Sequence, residues 1–260
     1  MHTDVVLTTY FTVKEDPQAR AKTNWNLLKH FKTWMRSRRG GARREIPGIA
    51  KPDEFRRIKV WYDSLHDVGA AGVIFHDCLS DGFTERWTDE HVSFSYWDLK
   101  TQRSVNDERY YCYLEYLRNN PQIEKVFMLD LFDIEFFRNP FYLIDDERYD
   151  ILCGGDEGIT NETQSQKLIT AFGEVLYSSE IKLCAGVCGG SRESVIKLLE
   201  AMVAVFEDLS ARGEFKNLNM GVFNKCVYDL FERDRILYGS PLNSRFKKYE
   251  GSGDFAIRHK

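Results

Sequence analysis

This sequence lacks the marks of several broad protein classes. A membrane-spanning helix needs about 18 apolar residues in a row, and no apolar run here approaches that length. The opening residues, Met1 to Tyr10, have no basic stretch, and Asp4 stands where a secretion signal is apolar. None of the six cysteines forms a Cys-x-x-Cys pair, so a structural zinc site is not expected. Cys78, Cys112, Cys153, Cys184, Cys188 and Cys226 mostly sit among apolar residues, as small buried thiols do. A reducing, cytoplasmic setting is the expectation. Excess charge is also missing. The chain has 36 Lys and Arg against 40 Asp and Glu, a net charge of −4, and this argues against a nucleic-acid binder. There is no internal repeat and no low-complexity segment.

What the chain does have is a soluble composition, 43% hydrophobic and 29% charged over 260 residues. That is enough for one large α/β domain, and a single domain over 1–260 is the expected organisation. Its organising stretch is Val126-Phe-Met-Leu-Asp-Leu-Phe-Asp-Ile-Glu-Phe-Phe-Arg-Asn-Pro-Phe141. The short apolar run Val126–Leu129 reads as a strand buried on both faces. Asp130 and Asp133 follow it, where burial of unpaired carboxylates would be costly. They belong at the exposed C-terminal edge of a sheet, where open α/β folds bind ligands. Paired carboxylates there suit a hard divalent cation that also holds phosphate oxygens. A charged turn between two strands is the plainer alternative.

Other strands show the same habit. Asp4–Phe11 reads as the first, with Thr8, Thr9 and Tyr10 near its end. Gly72–Asp77 reads as another, ending in Asp77, which suits either a base or ribose contact or a loop carboxylate. Val92–Trp97 alternates apolar and polar residues, as a half-exposed strand does. Helices are expected over 24–38, after Pro52, over 104–119 and from Ser191. Leu79–Gly82 reads as loop. The basic residues Lys29 to Arg44 form a solvated face or a flap near an anion. Tyr149–Gly158 runs into a glycine-rich turn tipped by Asp156 and Glu157, whose spacing matches no phosphate loop.

The Asp130–Phe141 stretch resembles the metal-binding motif of GT-A-fold nucleotide-sugar glycosyltransferases, with two residues between the carboxylates where the commonest form has one. The resemblance implies an α/β, GT-A-like domain with a mostly parallel central sheet and helices on both faces. It implies transfer of a sugar from a nucleoside diphosphate donor, a UDP-sugar foremost, to a hydroxyl acceptor such as a glycan, with Mn²⁺ or Mg²⁺ as cofactor. Metal ligands by this analogy are Asp130, Asp133 and, near the end of the chain, His259. Thr8, Thr9, Tyr10, Asp77, Arg109, Asp130, Gly186 and Lys260 would bind the donor. Cys184-Ala185-Gly186 is similar to the family's Asn-Ala-Gly segment, with cysteine in place of asparagine. Asn219–Asn224 is similar to its Asp-Gln-x-x-x-Asn helix start, in a form that points to retaining branches. Because an amide cannot act as a general base, the catalytic candidates are Asp156 and Glu157 beside Asn219. The alternatives are a metal-dependent nucleotidyl- or phosphotransferase and a non-catalytic sugar-nucleotide-binding module.

Overall fold

Strand residues of alternating parity supply two separate cores. In the computed structural model, which describes residues 2–12, 52–155, 162–174, 176–177, 179–245 and 253–259, Val5 and Leu7 face one core while Val6 and Tyr10 face the other. Val126 and Met128 likewise oppose Phe127 and Leu129. This follows from the two-residue period of a strand, and the double burial is what a central strand of an α/β sheet requires.

The elements in chain order are β1 (Asp4–Tyr10), α1 (Phe55–Asp67), β2 (Gly72–His76), α2 (Asp81–Trp87), β3 (Val92–Tyr96), α3 (Val105–Asn119), β4 (Lys125–Leu129) and β5 (Ile134–Phe136). They continue with β6 (Ile151–Gly155), α4 (Glu162–Phe172), β7 (Leu183–Ser191), α5 (Arg192–Ala211), α6 (Asn219–Leu230), β8 (Ile236–Tyr238) and β9 (Ile257–His259). Seven strands form the central sheet in the order β3-β2-β1-β4-β7-β6-β8, and β5 pairs with β9 in a small second sheet. Neighbours are parallel except at β7, which runs antiparallel to both β4 and β6. Residues of α3, α5 and α6 pack on one face, and those of α1 pack on the other. The molecule is thus α/β with a mostly parallel sheet. No helix among the described residues is long and apolar enough to cross a membrane.

Two details depart from the sequence reading. Leu79–Gly82 is not all loop: Ser80 accepts a hydrogen bond from Phe83 N and starts α2, so Asp81 and Gly82 lie in its first turn. The reversal of β7 had no sequence signal, since a buried strand has the same apolar pattern in either direction. The expected 24–38 helix and the basic cluster from Lys29 to Arg44 lie outside the described residues, as do Asp156, Glu157 and Lys260.

The start of β7 is fixed from outside the sheet. Asn224 of α6 accepts from Leu183 N at 2.8 Å through Oδ1, and its Nδ2 donates to Leu183 O at 2.9 Å and Met220 O at 2.8 Å. The side-chain amide therefore imitates a neighbouring strand. Asn224→Ala leaves both Leu183 backbone groups without this partner, and unmet buried polar groups cost about 1–3 kcal/mol each. We expect a loss of about 2 kcal/mol in urea denaturation; an unchanged midpoint would show that the clamp carries no stability.

Candidate metal centre

β1 lies between β2 and β4, so the chain leaves it first toward one side of the sheet and later fills the other. Ligands of open α/β sheets collect at the carboxyl ends of strands on such a switch point. Asp130 follows β4 at that edge, and its backbone N–H donates to Gly186 O on β7 at 2.9 Å. The next residues bend into β5. There Ile134 pairs with His259, Glu135 with Arg258 and Phe136 with Ile257. This small antiparallel pair carries His259 from the far end of the chain to the two carboxylates.

His259 Nε2 lies 3.7 Å from Asp130 Oδ2 and 3.5 Å from Asp133 Oδ2. One donor atom from each of Asp130, Asp133 and His259 falls within 4.8 Å of the others. Atoms ligating one ion at about 2.1 Å stand roughly 3–4 Å apart, so the two distances from His259 fit a shared cation. The donor set, two carboxylates and an imidazole, fits Mn²⁺ and similar divalent ions. The floor of the site is shaped to match. A methyl group on Gly186 would overlap the Asp130 carboxylate and come within 2.7 Å of His259 Cε1. Only a bare α-carbon lets both side chains occupy this place.

The carboxylates differ in their surroundings. Asp130 Oδ1 receives Arg109 Nη1, leaving Oδ2 toward His259. Arg109 is 8% exposed, and its Nη2 also donates to Tyr110 Oη at 3.0 Å and to Ala185 O at 3.1 Å. Asp133 is 38% exposed and faces His259. Burial alone would raise the pKa of Asp130, but the Arg109 charge and His259 outweigh it and hold the carboxyl well below its usual range. Burial alone would likewise lower that of His259. The Asp130 and Asp133 carboxylates beside Nε2 reverse this and raise it to about 12. Without a metal the imidazole is therefore a cation clamped between two anions.

The remaining sequence candidates are dispersed around this centre. Thr8 is completely buried within β1, opposite Ile74. Thr9 is partly buried, next to it on the opposite face of the strand. Tyr10 is buried, and its ring meets Phe132 edge-on at 5.4 Å between centroids. Asp77 accepts from Thr12 N at 2.8 and 2.9 Å and from Thr12 Oγ1 at 3.1 Å, which ties the ends of β1 and β2 together. Asn219 begins α6, with its N–H donating to Asn217 Oδ1. The next residue, Met220, accepts from Ala185 N through sulfur at 3.3 Å, so the first turn of α6 lies beside the site's floor.

Asp107, Glu108 and Glu115 are near Arg109 in sequence and are the plain candidates to pair with it. Glu108 instead accepts from Trp97 Nε1 and Lys100 N, Asp107 pairs with Arg103, and Glu115 pairs with Lys100. Their removal from contention leaves the guanidinium for Asp130. Three contributors went unnoticed in the sequence: Ser244, whose Oγ accepts from His259 N at 3.1 Å, the Ala185 carbonyl, and the exposed ring of Phe132. Phe132 had a signal, as a large apolar side chain between two carboxylates, and Ala185 lay in the segment noted by resemblance, though its carbonyl was not.

No protein-family model matches this sequence, and no curated protein matches it.

The Arg109–Asp130 pair makes a pH-dependent contribution. Asp130 has a folded-state pKa below its unfolded value, so its stabilisation is present above the usual carboxylate range and is lost as pH falls through the folded-state value. Removing one member of a buried pair costs about 3–5 kcal/mol, and Asp130 is 35% exposed, which reduces the cost to roughly 2 kcal/mol. Arg109→Gln is expected to lose that amount at pH 7 and to approach the unaltered protein in strong acid. Urea denaturation across pH 2–7 measures the gap; a gap that does not narrow in acid would assign Arg109's effect to packing.

Proposed function

We propose that this protein is a metal-dependent glycosyltransferase with a GT-A-like fold, moving a sugar from a nucleoside diphosphate donor, a UDP-sugar foremost, to a hydroxyl acceptor. One observation carries the reading: a histidine from the last described strand meets both carboxylates of the Asp130–Asp133 bend at the sheet's switch-point edge. The resemblance to that family picked out the same three residues, Asp130 and Asp133 from the Asp130–Phe141 stretch and His259 from its place near the end of the chain.

In this reading Asp130, through Oδ2, Asp133 and His259 hold the cation. A bound divalent ion supplies charge for the leaving diphosphate. Arg109 occupies the other Asp130 oxygen and so keeps that carboxylate oriented and partly neutralised. Phe132, 48% exposed beside Tyr10, offers an apolar face near the carboxylates for a base or sugar ring. Asn219 offers an amide for a sugar hydroxyl. Asp156 and Glu157 remain the candidate bases and Lys260 the candidate phosphate contact, on sequence grounds.

A thermal-shift series with UDP, GDP, ADP and CDP, each with and without Mn²⁺, tests the reading. A ligand at a hundredfold excess over Kd adds about 2.7 kcal/mol. We expect the largest stabilisation with UDP and only in the presence of Mn²⁺. Asp133→Asn should abolish that stabilisation and leave the metal-free melting temperature nearly unchanged, because Asp133 is partly exposed and the relief of its repulsion from Asp130 offsets the lost attraction to His259. Equal nucleotide binding without metal, or undiminished binding by Asp133→Asn, would overturn the metal role. Release of sugar from a UDP-sugar then separates glycosyl transfer from phosphoryl or nucleotidyl transfer.

A further inference from the structure

The side of the His259 ring turned away from the carboxylates faces a thiol. Cys184 Sγ on β7 lies 3.7 Å from His259 Nδ1. Both residues are buried, Cys184 at 4% and His259 at 1% exposure. The ring has little freedom to turn. The backbone N–H of His259 donates to Ser244 Oγ, β9 is paired with β5, and Cε1 rests against the bare α-carbon of Gly186.

A metal takes the nitrogen of a neutral imidazole that carries no proton, and the other nitrogen keeps its N–H. Here Nε2 is aimed at Asp130 and Asp133, so a metal shared with those carboxylates leaves the N–H on Nδ1. A buried N–H without an acceptor costs about 1–3 kcal/mol. In metal centres the partner of this N–H is ordinarily a carbonyl or carboxylate, and it fixes both the tautomer and the orientation of the ring. At this position the structure has sulfur, a weak acceptor. Cys184 is closely packed at its Cβ: a methyl on Gly154, across the β6–β7 ladder, would come within 3.1 Å of it.

We propose that Cys184 is a positioning residue of the metal centre: its sulfur accepts the Nδ1–H of His259 and so presents Nε2 to the cation. This rests on the metal-centre reading. It assigns Cys184 no ligand bond, because the sulfur lies beside Nδ1 and the carboxylates lie beside Nε2.

Cobalt(II) titration of the full chain, followed by visible absorption and by calorimetry, tests the role without an activity assay. Partners of this kind are worth about 10–100-fold in metal affinity. Cys184→Ala and Cys184→Val, which remove the acceptor, are expected to weaken Co²⁺ binding about tenfold or more and to shift its visible bands. Cys184→Ser keeps an acceptor on a shorter bond and should recover part of the affinity. Valine and serine bracket the cysteine in size, so a loss seen with valine and eased with serine separates hydrogen bonding from packing, even if the alanine protein folds poorly. Unchanged affinity in all three variants, or equal loss in valine and serine, overturns the positioning role. A sulfur-to-cobalt charge-transfer band in the unaltered protein also overturns it, by making Cys184 a ligand. Failure of the unaltered protein to bind Co²⁺ overturns the metal centre itself, and that result is distinct from the other two.

Discussion

Two carboxylates on one short bend repel each other, and the surrounding structure is arranged to offset that repulsion. At 4 Å two like charges cost about 1 kcal/mol in water and about 4 kcal/mol at the effective dielectric near a protein surface. Asp130 and Asp133 meet this with two cations drawn from opposite directions. Arg109 approaches Asp130 from α3, which packs on one face of the sheet, and His259 stands beside both carboxylates from the β5–β9 pair, whose apolar residues join the other core. Each cation is itself buried and must be anchored. Tyr110 and Ala185 anchor the guanidinium, while Ser244 and Cys184 anchor the histidine. The site is thus one polar unit, with members from α3, the bend between β4 and β5, β7, β9 and, at Ser244, the segment after β8.

β7 supplies most of the floor, and its direction matters. Running antiparallel between β4 and β6, it turns the beginning of its length toward the C-terminal ends of the parallel strands. Cys184, Ala185 and Gly186 therefore arrive beside Asp130 instead of at the opposite edge. Each of the three does something different there. The cysteine meets His259 through sulfur, the alanine accepts from Arg109 through its carbonyl, and the glycine leaves room for the Asp130 carboxylate. A parallel strand with the same residues would have carried them away from the carboxylates.

Legibility in the sequence followed from how local each signal was. The strand Lys125–Leu129 and the carboxylates after it could be read directly, because an apolar run ending in aspartate constrains both burial and position. Ser104 and Ser191 likewise announced their helices, and both accept a hydrogen bond from a first-turn N–H. Contacts between distant segments were another matter. Arg109 had three nearer acidic residues to choose from, and only the fold shows that each is committed elsewhere. The partners of Cys184 and Ser244 depend on the direction of β7 and the docking of β9, and neither leaves a periodic trace. The resemblance pointed to His259 where composition could not.

The order of assembly follows from the same geometry. Asp130 and Arg109 are close in sequence and are brought together by the adjacent elements α3 and β4, so their pair closes a short loop. His259 closes a far longer one. Loop-closure entropy grows only slowly with length, about 0.6 kcal/mol for each doubling, so the longer closure is thermodynamically modest. It also depends on the pairing of β9 with β5 and on the space left at Gly186. Asp130 can therefore be set by the main sheet alone, whereas His259 depends on the small sheet. Any cation that binds all three residues favours the docked state of β9 over the undocked one, by the differential affinity between them. For such a cation, binding and the seating of the last described strand would be thermodynamically linked.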